Sequence, residues 1–402
     1  MSTINGRQDV QYGIRSMKIV ALGLRGFPGV MGGVEAHCEQ LYASVRAIAP
    51  DIEITALARA RYVSGNGSDF KEVKVRPIPA ITSPYLEAIT HTFLGVLYAR
   101  FSERADVLHV HAIGPGLLVP LAKILGMSVV FTHHGEDYGR CKWNGAAKMA
   151  LRLGEALAVR FADRVISVSR PIARSLATRD SALSGKLCWI PNGVSVELGR
   201  DSKNLAPLDM LRRFGLEQGK FAMTVARLVP EKGIHDLIDA ASGLPEGMKL
   251  VIVGGAQMRS GYSDSLLARA SDRVIFTGEL PREAIAPLYE NTALFVLASY
   301  HEGLPIAALE ALSFGARVLL SDIAANKDLD LPPENYFAVG DVVALRTKVG
   351  DIPKIRPADA EAILEKYDWR AIARETVLVF RAAAARRSFG DVGVDAAGGL
   401  AS

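Results

Sequence analysis

The segment Ser299-Tyr-His-Glu-Gly-Leu-Pro-Ile-Ala-Ala-Leu-Glu310 places two carboxylates, Glu302 and Glu310, around the start of a helix that follows the apolar run Ala293-Leu-Phe-Val-Leu297. Pro305 suits the first helical position, where a missing N–H is no loss. Glu302 then precedes the helix and Glu310 falls in its second turn. The amides of Gly303 and Leu304, aided by the helix dipole, can hold a phosphate, and each carboxylate can accept hydrogen bonds from vicinal hydroxyls. Sugars and ribose both offer such hydroxyls, so the segment reads as a grip for a sugar nucleotide. Taken alone, a Glu pair is more often two solvated helix-end acids.

Group transfer from a nucleoside diphosphate leaves negative charge on the departing diphosphate, which a metal or fixed cations must stabilise. The chain has no Asp-x-Asp in a metal-binding context, whereas Arg227 and Lys232 flank a strand-to-helix turn in Ala226-Arg-Leu-Val-Pro-Glu-Lys-Gly233. A guanidinium forks phosphate oxygens and an ammonium adds a mobile point charge. Gly32-Gly33 opens the helical pattern Val34, Cys38, Leu41, Val45 and Ile48, where glycine lets the backbone approach a diphosphate. A ligand-free turn is the alternative. The upstream Gly23-x-x-Gly26-x-x-Gly29 is not a dinucleotide fingerprint, because Leu57-Ala58-Arg59 stands where the acidic residue is required. That argues against an oxidoreductase. His134 follows the strand pattern Ser128–Thr132 and precedes Gly135, so it projects from a strand end, with His133 as the competing candidate. Asp137, Arg140 and Lys142, beside Tyr138 and Trp143, form either an acceptor-side surface or a charged helix face. Gly254-Gly255 suits a phosphate, a sugar or a tight turn.

These residues need elements to position them. Apolar runs alternate with helical patterns: Ile19–Leu22, Ile52–Leu57, Val73–Ile78, Val107–Val110, Val129–Thr132, Val165–Val168 and Leu187–Ile190. After the polar stretch Ser195–Ala206, read as a linker, the alternation restarts with Phe221–Val225, Leu250–Val253, Val274–Phe276, Leu294–Leu297 and Val318–Leu320. This predicts two doubly wound α/β domains with parallel sheets, and a ligand cleft beyond the carboxyl ends of their strands. Residues 357–385 have helical character, and the Gly- and Ala-rich tail after Arg387 reads as disordered.

A chain of 402 residues with 49% hydrophobic content fits two soluble cores. No apolar run approaches the roughly 20 residues of a membrane span, and Met1–Ser16 lacks a signal-peptide core, so a cytoplasmic location is expected. Cys38, Cys141 and Cys188 are too scattered for a disulfide framework or a zinc site and read as packing residues. Residues 1–200 hold 24 Lys and Arg against 16 Asp and Glu, while residues 201–402 hold 23 against 27. The basic first half suits anionic lipid head groups or a lipid-diphosphate acceptor. In Tyr85–Arg104, Leu86, Ile89, Phe93, Leu97 and Phe101 share one face, which predicts either a core-facing helix or peripheral docking on the inner membrane. No aromatic-basic interleaving points to nucleic acid.

Over nearly its whole length the chain resembles the retaining family 4 glycosyltransferases of GT-B fold. Glu302 and Glu310 match that family's E-x7-E element, and Arg227 with Lys232, His134-Gly135 and Ile190-Pro-Asn-Gly-Val194 follow its order. A narrower similarity is to bacterial rhamnosyltransferase-like members, through Gly23-Leu-Arg25-Gly26-Phe-Pro28, Gly32-Gly33-Val-Glu35 and His134-Gly-Glu-Asp137-Tyr138-Gly-Arg140-Cys-Lys142-Trp143.

The resemblance implies two tandem Rossmann-like domains facing across a cleft, with a last helix that starts near Tyr367-Asp-Trp369 and crosses back to the first domain. Residues 17–200 would be the acceptor-side domain, 201–365 the nucleotide-sugar domain, 366–387 the crossover helix and 388–402 a tail. It further implies that Arg227 and Lys232 clamp the diphosphate, that His134 and Glu302 position the donor sugar, and that Glu310 holds the ribose. Gly32, Gly33, Gly303 and Leu304 would line the donor, and the Gly278-Glu279-Leu280 backbone would read the base. No metal or other cofactor is expected beyond the nucleotide sugar itself. The implied reaction is a retaining, front-face transfer to a saccharide or lipid-linked saccharide in surface polysaccharide assembly. A sugar-nucleotide epimerase of the same fold and a non-catalytic saccharide- or nucleotide-binding protein are the competing readings.

Overall fold

The structure is a computed structural model that describes residues 16–63, 69–83, 86–139, 143–194, 207–256 and 259–388. Its first sheet contains β1 (Met17–Leu22), β2 (Ile52–Arg59), β3 (Lys74–Ile78), β4 (Val107–His111), β5 (Ser128–His133), β6 (Arg164–Ser167) and β7 (Leu187–Trp189), in the order β3-β2-β1-β4-β5-β6-β7. Its second contains β8 (Phe221–Val225), β9 (Lys249–Val253), β10 (Val274–Gly278), β11 (Leu294–Leu297), β12 (Val318–Ser321) and β13 (Tyr336–Phe337), in the order β10-β9-β8-β11-β12-β13. Neighbouring strands pair in parallel throughout. Continuous apolar runs give this result because a parallel sheet is covered by helices on both faces. Each sheet accordingly separates two apolar clusters. All the strands expected from apolar runs are present, and the short β13 is an addition. The expected linker Ser195–Ala206 and residues 389–402 of the tail expected after Arg387 lie outside the described residues, while Ser388 still belongs to the last helix.

The helix Ala360–Lys366 stops at Tyr367, and a second helix, Trp369–Ser388, runs back over the first sheet. Trp369, Ile372, Ala373, Val377 and Phe380 join the same cluster as Cys38, Leu41 and Tyr42. The Val194 N–H donates to the Tyr367 carbonyl at 2.8 Å, which ties the end of the first domain to the turn between the two helices.

The helix Leu86–Phe101 turns its polar and small residues inward. Glu87, His91, Thr92, Gly95, Val96 and Ala99 are buried, while Leu86, Phe93 and Phe101 are exposed and Ile89 and Leu97 half-buried. The predicted apolar stripe is therefore not core-facing. Two contacts explain the inversion. A Cβ on Gly95 would stand 2.4 Å from Leu22, so the helix backbone lies almost against the sheet. Glu87 is drawn inward by Arg59 at 3.0 Å and Arg61 at 2.8 Å. With Ile81 and Leu94, the outward residues form an apolar strip on the first domain.

Trp369 is 3% exposed and anchors the returning helix. Trp369→Ala is expected to lower stability by about 3–5 kcal/mol, read as a lower urea midpoint for the first domain. An unchanged midpoint would contradict this docking.

Candidate functional site

The ends of β8 and β11 are adjacent, and the loops leaving them meet backbone to backbone. Gly233 (φ 61°) follows the turn Pro230–Lys232, and a Cβ there would lie 2.0 Å from the Ala298 carbonyl. Only glycine accepts both that conformation and that approach. The Tyr300 N–H donates to the Glu231 carbonyl at 2.9 Å, and the pairing of loops brings Lys232 Nζ to 2.5 Å from Glu302 Oε1. The Ser299 hydroxyl donates to the same oxygen at 2.7 Å. Burial pushes the Glu302 carboxyl up, but the charge and hydrogen bond of Lys232 and the Ser299 hydroxyl outweigh it and hold it below its ordinary value.

Pro305 is the N-cap rather than the first helical residue, and the helix Ile306–Ser313 begins one position later than expected. Glu310 still falls in its second turn, buried at 7% exposure. Its two oxygens are held separately: Arg282 Nη2 lies 2.5 Å from Oε1, and the Tyr289 hydroxyl donates to Oε2 at 3.0 Å. Arg227 is half-buried in the loop after β8. Gly278 ends β10 with φ 73° and open space at its Cβ position, and Leu280 packs partly into the second domain's core.

On the first domain, Arg25 and Glu35 are partners. Arg25 Nε and Nη2 donate to the two Glu35 oxygens, each at 2.8 Å. Burial pushes the Glu35 carboxyl up, but Arg25 overrides it and holds it low. A Cβ on Gly32 would collide with this pair, at 2.0 Å from Glu35 Oε2, so Gly32 has a local structural task that the sequence reading did not assign. Gly33 has nothing within 4 Å of that position and is the residue open to a close ligand.

The two adjacent histidines separate clearly. His133 is fully buried, 2.7 Å from Glu155, whose other oxygen accepts from Arg179 at 3.1 Å. His134 is half-buried at the domain boundary. Its carbonyl oxygen would lie 1.8 Å from a Cβ on Gly303, so the first domain's loop rests directly on the loop of Glu302. Asn192 adds a second bridge, its Nδ2 donating to the Leu304 carbonyl at 2.7 Å. Behind His134 runs a chain of polar contacts. His134 Nε2 is 2.9 Å from His111 Nδ1, and His111 Nε2 is 2.6 Å from the Tyr42 hydroxyl. That hydroxyl is 2.9 Å from His109 Nδ1, and His109 Nε2 is 2.7 Å from Thr132 Oγ1. Burial, then the neighbouring imidazoles, keeps His109, His111 and His134 well below the ordinary imidazole value, and burial lowers His37 to about 4. These rings are neutral at pH 7.

His134, Gly303 and Leu304 thus meet at the domain boundary, with Lys232 and Glu302 paired just behind. Asp137 starts a short turn, Asp137–Gly139, that continues from the His134 loop. Arg140 and Lys142 lie outside the described residues. Sequence reasoning missed Arg282, Tyr289, Tyr42, His37 and the His109–His111 pair. Arg282 at a helix start carries no signal of its own. Two histidines inside the otherwise apolar Val107–His111 run were a legible one, since a fully buried strand rarely carries them without partners.

Residues 31–198 match the family model described as Glycosyltransferase Family 4, and residues 211–332 match Glycosyl transferases group 1. The chain is 25% identical over 395 residues to the α-maltose-1-phosphate synthase of Mycolicibacterium smegmatis, covering 90% of this chain and 98% of that protein. It is also 28% identical over 237 residues to an Escherichia coli UDP-Gal:α-D-GlcNAc-diphosphoundecaprenol α-1,3-galactosyltransferase, covering 56% and 60% of the two chains. Anabaena HepE, solved in complex with UDP and glucose, is similar in fold, with a TM-score of 0.69 at 18% identity over 91% of this chain and 99% of that one. With its two domains matched in order and its two parallel sheets arranged as in such a structure, the chain belongs to the group 1 and family 4 glycosyltransferases of GT-B fold.

Proposed function

We propose that this glycosyltransferase takes a nucleoside-diphosphate sugar and moves its sugar, with retention and without a metal, to a saccharide or lipid-linked saccharide acceptor in surface polysaccharide assembly. The observation that carries the reading is the pair of cation-held carboxylates in the segment after β11, Lys232 on Glu302 and Arg282 on Glu310, beside the backbone contact with His134. Arg227 and Lys232 hold the diphosphate; an ammonium has three donors, so Lys232 can serve Glu302 and a phosphate oxygen together. Glu310, oriented by Arg282 and Tyr289, accepts from ribose hydroxyls. Glu302 and His134 position the donor sugar, and the backbone at Gly33, Gly303 and Leu304 lines the phosphates. Gly278 and Leu280 flank the base, while Asp137, Arg140 and Lys142 face the acceptor.

The acceptor hydroxyl oxygen bonds to the anomeric carbon on the face from which the diphosphate leaves. The carbon–oxygen bond to the diphosphate breaks, and the hydroxyl proton passes to a departing phosphate oxygen. Fixed cations stabilise the charge that develops there. Glu302, already engaged by Lys232 and Ser299, is not offered as a nucleophile. HepE with UDP and glucose supports a nucleotide-sugar site on this fold, and the Escherichia coli relative supports a polyprenol-diphosphate acceptor. A rhamnosyl-type donor rests on the Gly23–Pro28 and His134–Trp143 motifs. Among the described residues no helix is long and apolar enough to cross a membrane. Work at the cytoplasmic membrane face would then use the exposed strip of Leu86, Phe93 and Phe101 with the basic first half.

Glu310→Gln is expected to weaken binding of the nucleoside diphosphate by about 1.5–3 kcal/mol, as charge-assisted hydrogen bonds are lost. Gln is preferred to Ala because its amide oxygen can still accept a hydrogen bond beside Arg282 and Tyr289, which Ala would leave with no acceptor there. Calorimetry with the diphosphate that gives the largest melting shift is the check; unchanged affinity removes Glu310 from the donor site.

Turnover should survive excess EDTA, and Lys232→Ala should lower kcat at saturating donor while far-UV circular dichroism stays native. Activity that disappears on chelation and returns with magnesium or manganese would contradict protein-supplied charge stabilisation.

Co-sedimentation should show binding to anionic liposomes that weakens with salt, as the Debye length falls from about 10 Å at 0.1 M to about 3 Å at 1 M. Phe93→Ser with Phe101→Ser should reduce it further. Negligible binding under every condition would defeat membrane docking and leave the donor-site reading standing.

A further inference from the structure

The imidazoles of His37, His111 and His134 converge between the helix Gly33–Ile48, β4 and the loop after β5, with one ring nitrogen of each within 4.8 Å of the others. His37 is 2% exposed, and its Nδ1 lies 2.9 Å from Asn192 Oδ1. Asn192 donates through Nδ2 to the Leu304 carbonyl, so Oδ1 is the atom facing His37. An amide oxygen only accepts, which places the His37 hydrogen on Nδ1 and leaves a lone pair on Nε2. That Nε2 is buried with no partner among the described residues. An orphaned buried acceptor carries a desolvation penalty that needs a reason.

The other two nitrogens face each other: His111 Nδ1 and His134 Nε2 stand 2.9 Å apart and share one hydrogen. The Tyr42 hydroxyl beside His111 Nε2, with Cys38 Sγ 3.5 Å from the same nitrogen, offers that hydrogen another place. If His111 donates from Nε2 to Tyr42, the Tyr42 hydroxyl donates to His109 Nδ1 and His109 Nε2 donates to Thr132 Oγ1, and the chain stays fully satisfied. His134 then carries its hydrogen on Nδ1. All three rings remain neutral, with lone pairs on His37 Nε2, His111 Nδ1 and His134 Nε2 in a group of imidazoles whose nitrogens come within 4.8 Å of one another.

We propose that His37, His111 and His134 bind one divalent transition-metal ion of the zinc class. Neutral imidazoles suit such ions, and three histidines with water in the fourth position are a stable four-coordinate set. The outward nitrogens of His37 and His111 are already held by a carbonyl and a hydroxyl, as ligating histidines are in metal sites. Binding replaces one N–H···N hydrogen bond with three nitrogen–metal bonds and releases no proton. The site is not a requirement of the transfer reaction. It shares His134 with the donor site proposed above, so an occupied site withdraws that ring from the sugar.

The test measures the ion directly, so that its outcome is independent of the donor reading. Chelator-stripped full-length protein is dialysed against micromolar zinc(II) in a magnesium-containing buffer and its metal is quantified. One retained equivalent is expected in the wild type and in His235→Ala, and none in His37→Ala or His111→Ala. Asn192→Ala should bind about 10–100-fold more weakly, since it loosens a ligand without removing it. Cobalt(II) should give the intense visible bands of a four-coordinate nitrogen site. A wild type that retains no zinc, or a His37→Ala protein that retains it equally, overturns the proposal. Should the histidine variants unfold, the wild-type cobalt spectrum decides, and a weak six-coordinate spectrum counts against the site.

Discussion

The ion pair of Lys232 and Glu302 is the interaction on which the second domain's site depends. Both groups are mostly withdrawn from water, Lys232 at 18% and Glu302 at 10% side-chain exposure. Neither would stay there alone, because an unpaired buried charge is strongly destabilising. The pair therefore fixes the distance between the loop after β8 and the loop after β11, and Gly233 against Ala298 sets the minimum of that distance. Arg282 and Glu310 repeat the arrangement eight residues along, in the second turn of the helix that follows. Glu35 and Glu302 have folded-state values depressed by their cations, so each contributes stability that is present above the unfolded carboxyl value of about 4.3 and is lost as pH falls through its lower folded value.

The first domain answers these charged pairs with neutral polarity. His37, His109, His111 and His134 are grouped against one another, and a charge on any of them would be disfavoured by desolvation and repelled by charge on its neighbours. They are held instead by hydrogen bonds through Tyr42 and Thr132, which orient His134 while its ring stays uncharged. The protein's own positive charge near the donor loops is thereby supplied largely by the second domain, and the imidazoles opposite it are neutral. Arg25, the cation nearest the Gly32–Gly33 turn, is spent on Glu35.

Much of this was legible in the sequence because its causes are local. Continuous apolar runs give buried parallel strands, and a polar stretch between two such series separates the sheets. The E-x7-E spacing was enough to put Glu302 before a helix and Glu310 in its second turn. What escaped were long-range partners. Arg282 lies 28 residues from Glu310, and Asn192 lies 155 residues from His37, so nothing in their neighbourhoods announces the contact. The helix Leu86–Phe101 was ambiguous for a different reason. Its period shows an apolar face, but which face points inward is decided by Gly95 against Leu22 and by Glu87 between two arginines. Gly32 shows the same limit, since its need for a missing side chain arises from a salt bridge rather than from a ligand.

The contacts between the domains fall into two groups with different consequences for motion. Near the crossover, the Val194 N–H bonds the Tyr367 carbonyl and the Trp369 helix is built into the first domain's core, so this edge has a covalent and a packed connection. At the cleft, Gly303 touches the His134 backbone and Asn192 bonds the Leu304 carbonyl, contacts that involve few apolar side chains. On the crossover side, beside Tyr367, Arg170 pairs with Asp328 and Asp330, the latter well exposed and therefore weak. Separation of the cleft contacts thus sacrifices a few hydrogen bonds, whereas separation at the crossover would expose Trp369, Ile372 and Phe380. The contact between the loop backbones of His134 and Gly303 is thus the weaker of the two connections, and the Val194–Tyr367 edge the stronger.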